Sequence, residues 1–176
     1  QNRIKDILIS LIMKILQIIF SLSPGGAERF VIDLSNELSK NNDVTLLTLK
    51  NDKVDEANRN FYKFDLSGRV KYLNLGLGDG AKPVYLWKNY KVIKEIDPDV
   101  VHINGCNMDK YCYLACLLLG DKMTFVQTIH NDLYHGYVSR FDHFAYHTLA
   151  RFGKLRWAAL SDTNFHQLKK EYPNAK

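Results

Sequence analysis

The sequence has no stretch suited to cross a membrane as a helix. Residues 4–22 are apolar, but Lys5, Asp6, Lys14 and Gln17 interrupt them, and a spanning helix wants roughly 20 apolar residues without central charge. No small-residue cleavage site follows, which argues against a secretory signal peptide. Cysteine is scarce: Cys106, Cys112 and Cys116 are the three present. An odd number without scaffold-like spacing points to a reducing compartment, not a disulfide framework. There is no GK[ST] tripeptide, hence no P-loop. The dinucleotide fingerprint of three spaced glycines followed by an acidic strand end is also missing. His143 and His147 share a helix face, but Phe144 stands where a zincin would need Glu. Neither a metal nor a cofactor is expected. A large excess of one charge is absent too. The net charge of +5 and pI near 9.0 are too mild to imply nucleic acid, and are compatible with phosphorylated substrates or an anionic membrane surface.

What is present describes one domain. The chain of 176 residues is 46% hydrophobic and 24% charged, the composition of a globular protein with a full core, not a disordered one. No internal repeat and no linker divides it. Strand-like and helix-like segments alternate. Residues 14–20, 43–49, 69–75, 123–129 and 156–160 read as strands, and "DPDVVHIN" (97–104) reads as a short turn followed by a strand. Residues 26–40, 83–96, 108–119 and 139–152 read as helices, with a last helix from Ser161. Residues 50–68 carry no strong period and read as a loop, with room for a short helix. Near-continuous apolar strands alternating with helices predict an α/β fold. The expected architecture is a Rossmann-like, doubly wound, mainly parallel six-stranded sheet with helices on both faces. Residues 1–12 read as a leader or extension, because "MKILQIIFSL" from Met13 has the look of a start, and the domain covers 13–176.

In such a sheet, ligands bind outside the carboxyl ends of the strands. The first strand ends in "SLSPGGAERF", where Gly25 and Gly26 precede a helix. Glycines allow close backbone approach, and a helix N-terminus offers free N–H groups to a phosphate or a sugar hydroxyl. The bland alternative, a tight turn and nothing more, stays open for this pair alone. The fourth strand brings His102, Asn104 and Gly105 to the same edge, and the fifth brings His130 and Asn131. Three neighbouring strand ends delivering polar or glycine residues to one rim favour a site. Cys112 and Cys116, four apart in an apolar segment, read as small core residues.

The segments "MKILQIIFSLSPGGAERFVIDLSNELSKNNDVTLLTL", "IDPDVVHING", "FVQTIHND" and "WAALSDTNFHQLKKEYPNAK" resemble the N-terminal domain of family 4 retaining glycosyltransferases, enzymes of the GT-B fold. The resemblance covers residues 13–176. It implies a two-domain enzyme in which an N-terminal Rossmann-like domain holds the acceptor and a C-terminal one holds the nucleotide-sugar. The family's paired glutamates, separated by seven intervening residues, have no match among Glu28, Glu37, Glu56, Glu95 and Glu171. The expectation is therefore an acceptor-side domain, inactive alone. The resemblance implies that Gly25 and Gly26 approach the donor diphosphate and the acceptor, with Glu28 following. It also implies that His130 lines the cleft against the transferred sugar or acceptor. Asn104, Gly105 and Asn131 join the substrate-binding set, and Ser161 closes the sixth strand, where helix capping accounts for it. No dedicated protein base is implied, since the leaving phosphate takes the proton.

"YLWKNYKVIK" (85–94) mixes aromatics with lysines. At helical spacing Leu86, Tyr90 and Ile93 face one way. Trp87, Lys91 and Lys94, with Lys88 beside them, make either a solvated basic face or a patch for anionic lipid. The lipid reading implies a cytoplasmic protein peripheral on the inner face of the plasma membrane, with a glycan or lipid-linked acceptor. His135 and Arg140 read as packing or solvent-exposed residues behind the fifth strand. A non-catalytic carbohydrate- or lipid-binding module is the alternative function. A nucleotide-binding oxidoreductase is disfavoured by the missing fingerprint.

Overall fold

The computed structural model describes residues 12–53, 55–78, 82–105, 108–130 and 140–173. Six strands form the sheet: β1 (Lys14–Ile19), β2 (Asp43–Lys50), β3 (Lys71–Leu77), β4 (Val100–Asn104), β5 (Thr124–Ile129) and β6 (Arg156–Ala159). Around them lie α1 (Gly26–Leu38), a single turn α2 (Glu56–Arg59), a 3-10 turn (Lys63–Asp65), α3 (Pro83–Ile96), α4 (Asp109–Leu119), α5 (Arg140–Phe152) and α6 (Asp162–Glu171). Every strand pair is parallel and the order is β3-β2-β1-β4-β5-β6. The sheet is thus wholly parallel and doubly wound, as the alternation of elements predicts. The order reverses between β1 and β4, the point where such sheets leave a crevice at their carboxyl edge.

The period of two along each strand divides the core. Ile15, Ile19, Val44 and Leu46 pack beneath α1 with Val31 and Ile32. Leu16, Ile18, Leu47, Val101, Ile103 and Phe125 face the opposite layer, where Ile93 of α3, Cys112 and Cys116 of α4 and Leu149 of α5 close over them. Both cysteines are fully buried, as their apolar segment predicts. Tyr146, Trp157 and Tyr172 seal the β6 end, the last two stacked with centroids 6.3 Å apart and planes 9° apart. Helix α6 is capped as expected: the Ser161 hydroxyl accepts from the Asn164 N–H at 3.2 Å.

Two local expectations are corrected. The buried stripe of α3 is Tyr85, Asn89 and Ile93, not Leu86, Tyr90 and Ile93. Asn89 is drawn inward because its Nδ2 donates to the Tyr111 carbonyl at 3.0 Å and lies 3.4 Å from Cys112 Sγ. Tyr90 is only partly buried at the margin of the core and stacks on Trp87, with centroids 5.2 Å apart. A pattern of apolar residues cannot see a polar group whose partner lies on the next helix. The third strand, in turn, begins at Lys71 instead of residue 69. The Val70 N–H is committed to a turn, donating to the Ser67 carbonyl at 3.0 Å.

Leu16 is completely buried in the central strand. Leu16→Ala should cost about 2–5 kcal/mol of unfolding free energy, the usual transfer-plus-cavity loss for a core leucine. Urea titration should show a lowered midpoint with an unchanged slope.

Candidate functional site at the carboxyl edge of the sheet

Three strand ends and one helix meet at the reversal. The chain leaves β1 at Phe20, whose carbonyl accepts from the Leu49 and Lys50 N–H groups at 3.2 and 2.9 Å. That ties the start of the loop to β2. The loop then enters α1 through Gly25, whose φ of −177° is extended backbone open to any residue. Neither glycine is therefore there for a special conformation. The Glu28 carboxylate folds back over Gly25, where an added Cβ would displace this flexible side chain. Around Gly26 a Cβ would meet nothing within 4 Å. No side chain of the cap residue bonds the first turn. The N-terminus of α1 thus offers its N–H groups outward, with Glu28 as the nearby acid that the helix dipole favours.

On β4 the end is held from both sides by amides. Asn104 is fully buried. Its Nδ2 donates to Gln17 Oε1 on β1 at 2.9 Å and, more weakly, to the His102 carbonyl at 3.3 Å. The next residue, Gly105, has φ +113°, a left-handed conformation that side chains rarely adopt. Gln127 of β5 donates to the Gly105 carbonyl at 3.0 Å, and the Gly105 N–H reaches the Thr128 carbonyl at 3.4 Å. The turn after β4 is thereby pinned to β5. Asn104 thus lies beneath the rim as a support, while Gly105 is partly exposed above it.

His130 follows β5 directly. Its Nε2 lies 3.4 Å from Asn104 Oδ1. Phe30 of α1 packs edge-on against its ring, with centroids 5.0 Å apart, so the histidine sits against the helix that the two glycines open. His102, one layer down on the same face, places Nε2 2.7 Å from Thr128 Oγ1. Burial and the neighbouring His130 push the His102 pKa down to about 4. Burial also lowers that of His130. Both rings are neutral at pH 7, so His130 acts there as a hydrogen-bonding group and not as a cation.

The structure thus brings Gly25, Gly26, Glu28, Asn104, Gly105 and His130 to one edge. Asn131, Cys106 and His135 lie outside the described residues. Gln17 and Gln127 are absent from the sequence-derived set, although both are fully buried and hold the β4 end. Each interrupts an apolar strand, "KILQII" and "TFVQTI". An amide inside a strand covered on both faces is the signal that could have found them.

Away from the rim, Trp87, Lys88, Lys91 and Lys94 are exposed on α3. Lys91 Nζ lies 5.5 Å from the Trp87 ring centroid and Lys94 Nζ 5.9 Å from that of Tyr90. His143 and His147 are exposed, and His147 packs against Tyr172 with centroids 4.8 Å apart. Among the described residues no cluster of three or more His, Cys, Asp or Glu side chains could hold a metal ion. None of their helices is long and apolar enough to cross a membrane.

Comparison with known proteins agrees with this architecture. The sequence model of Glycosyltransferase Family 4 matches residues 24–167. Among solved structures, a glycosyltransferase from Rickettsia africae ESF-5 is similar in fold, with a TM-score of 0.63 and 21% identity over 92% of this chain. The chain spans 40% of that protein. No curated protein matches the chain.

The low pKa of His102 makes stability depend on pH. The unfolded chain binds its proton near pH 6.5 and the folded one only near pH 4. Between those values the unfolded state holds more protons, so stability falls as pH falls. His102→Gln removes that titration, and thermal melts should show a shallower loss between pH 6.5 and 4 than in the wild type.

Proposed function

Because the chain belongs to glycosyltransferase family 4, we propose that it forms the acceptor-side domain of a two-domain GT-B enzyme. That enzyme transfers a sugar, with retention, from a nucleotide-sugar to a glycan or lipid-linked acceptor. The observation that carries the reading is the meeting of the α1 N-terminus, the Gly105 turn and His130 at the point where the strand order reverses. A glycosyl transfer needs a held acceptor hydroxyl and a stabilised leaving diphosphate. The open first turn of α1 supplies N–H dipoles to developing negative charge without reorganising. The neutral imidazole of His130 supplies a hydrogen bond to a sugar or acceptor hydroxyl without adding charge. No general base is assigned, because the departing phosphate takes the acceptor proton. The nucleotide-sugar is a substrate, bound mainly by a second domain that would close over this edge, and neither metal nor cofactor takes part in the proposal.

In the enzyme that carries this domain, His130→Ala should lower turnover about tenfold or more, the usual cost of losing one positioned polar group. The melting temperature should shift little, since the ring is only half-buried. Unchanged turnover would remove His130 from the site.

We propose further that the acceptor is presented at an anionic membrane, with the protein peripheral on the cytoplasmic leaflet. The layer of α3, α4 and α5 supports this, because large apolar side chains stand exposed there beside lysines. Trp87, Leu118, Phe141, Phe144 and Phe152 are 49, 55, 41, 55 and 60% exposed. Each lysine near an anionic surface is worth about 1 kcal/mol, and salt screens the attraction. The wild-type chain should cosediment with anionic but not neutral vesicles, and lose binding in 0.5 M salt, on the order of a 4 Å Debye length. The triple variant Lys88→Glu, Lys91→Glu, Lys94→Glu should sediment far less. Equal, negligible sedimentation with both vesicle types would end the membrane reading.

A further inference from the structure

Gln17 occupies the middle of β1 with no exposed surface. A leucine there would fill similar space without burying an amide, whose unmet hydrogen bonds carry a desolvation cost. The cost is real in this protein: among the described residues Gln17 Nε2 has no hydrogen-bond partner. What the residue does provide is its oxygen, aimed across the strand boundary at Asn104.

The orientation of the Asn104 amide follows from its neighbours. The His102 carbonyl, 3.3 Å away, can only accept. The atom of Asn104 facing it is therefore Nδ2, and the same Nδ2 meets Gln17 Oε1 at 2.9 Å. Asn104 Oδ1 is then the atom turned toward His130 Nε2 at 3.4 Å. An oxygen acceptor at that place selects the imidazole form protonated on Nε2. The edge-on packing of Phe30 restrains the plane of the His130 ring.

We propose that Gln17 is a positioning residue. Its buried carboxamide fixes the Asn104 amide, which in turn holds His130 protonated on Nε2 and leaves Nδ1 as an acceptor for a substrate hydroxyl. The inference rests on the reading of this edge as a sugar-transfer site and adds to it the polarity of the contact: the ligand group that meets His130 Nδ1 is a hydrogen-bond donor. A hydroxyl satisfies that requirement, whereas a fully ionised phosphate oxygen does not. The chain of three side chains runs from the central strand to the rim, so the histidine is set from beneath the site and not by the ligand.

The test needs no substrate. The chain is labelled with 15N-histidine, and long-range proton–nitrogen correlations are recorded at pH 7.5 for wild type, Gln17→Leu and Gln17→Glu. His130 should show a protonated Nε2 and a bare Nδ1 in the wild type, and an averaged mixture of both tautomers in Gln17→Leu. Melting temperature should fall, because buried Asn104 Nδ2 keeps only its weaker bond to the His102 carbonyl, and a cooperative melt above the recording temperature shows that the variant is folded. Gln17→Glu still accepts from Asn104 and should restore the wild-type signature. If the glutamate variant does not fold, His130→Ala identifies the signal and the comparison of wild type with Gln17→Leu decides alone. A wild-type His130 protonated on Nδ1, or a tautomer unchanged by Gln17→Leu, would overturn the proposal. Sugar transfer by the enzyme carrying Gln17→Leu should fall about tenfold. Undiminished transfer alongside a shifted tautomer would overturn the site reading itself while leaving the hydrogen-bond chain intact.

Discussion

β1 is hydrogen-bonded on both edges, to β2 on one side and to β4 on the other, and the rest of the molecule depends on that placement. Right-handed crossovers carry the chain outward from β1 in one direction through β2 and β3. They then return it to the other side for β4, β5 and β6. The helices of the two halves therefore lie on opposite faces, α1 on one and α3, α4 and α5 on the other. Where the halves part, at the carboxyl ends of β1 and β4, no crossover covers the edge. The glycine loop, the Gly105 turn and His130 stand there for that reason.

Polar groups beneath this edge have a cost that the apolar strands elsewhere avoid. Gln17, Asn104 and Gln127 are fully buried, and each secures a different element: Gln17 secures Asn104, Asn104 faces His130, and Gln127 holds the Gly105 carbonyl. Among the described residues Gln17 and Gln127 are each paired on one amide atom and not on the other, and such amides contribute little net stability. Their contribution is geometric. They convert the regular register of three strands into a defined orientation of groups at the surface.

The electrostatics of the edge divide the work between backbone and side chain. Helix α1 presents partial positive charge from its first-turn N–H groups, with the Glu28 carboxylate lying over Gly25 at its start. His130, with its pKa lowered by burial, brings no charge of its own. The lysine-rich face of α3 is separate, and its cations lie against aromatic rings. An edge of helix N–H groups, one carboxylate and an uncharged imidazole suits hydroxyl-rich ligands, and a basic outer face suits anionic surfaces.

Much of this was legible in the sequence. Near-continuous apolar strands such as β1 and β2, alternating with helices, point to a parallel sheet covered on both faces, while the edge strand β3 alternates. The Gly25–Gly26 turn, the strand end at Asn104 and the histidine after β5 mark the edge by their residue types alone. Tertiary structure decided the rest. Asn104 reads as a ligand contact in the sequence but lies beneath the rim, since its partner Gln17 is 87 residues away in the chain. The inward turn of Asn89 depends on a carbonyl of the neighbouring helix. The extended backbone at Gly25, and the Glu28 carboxylate lying over it, are likewise features of the folded loop. Periodicity and residue type determine which segments are strands and which face is apolar, because those depend on near neighbours in the chain. The partner a buried amide finds depends on which strands become adjacent, and only the folded sheet brings those atoms within hydrogen-bond reach.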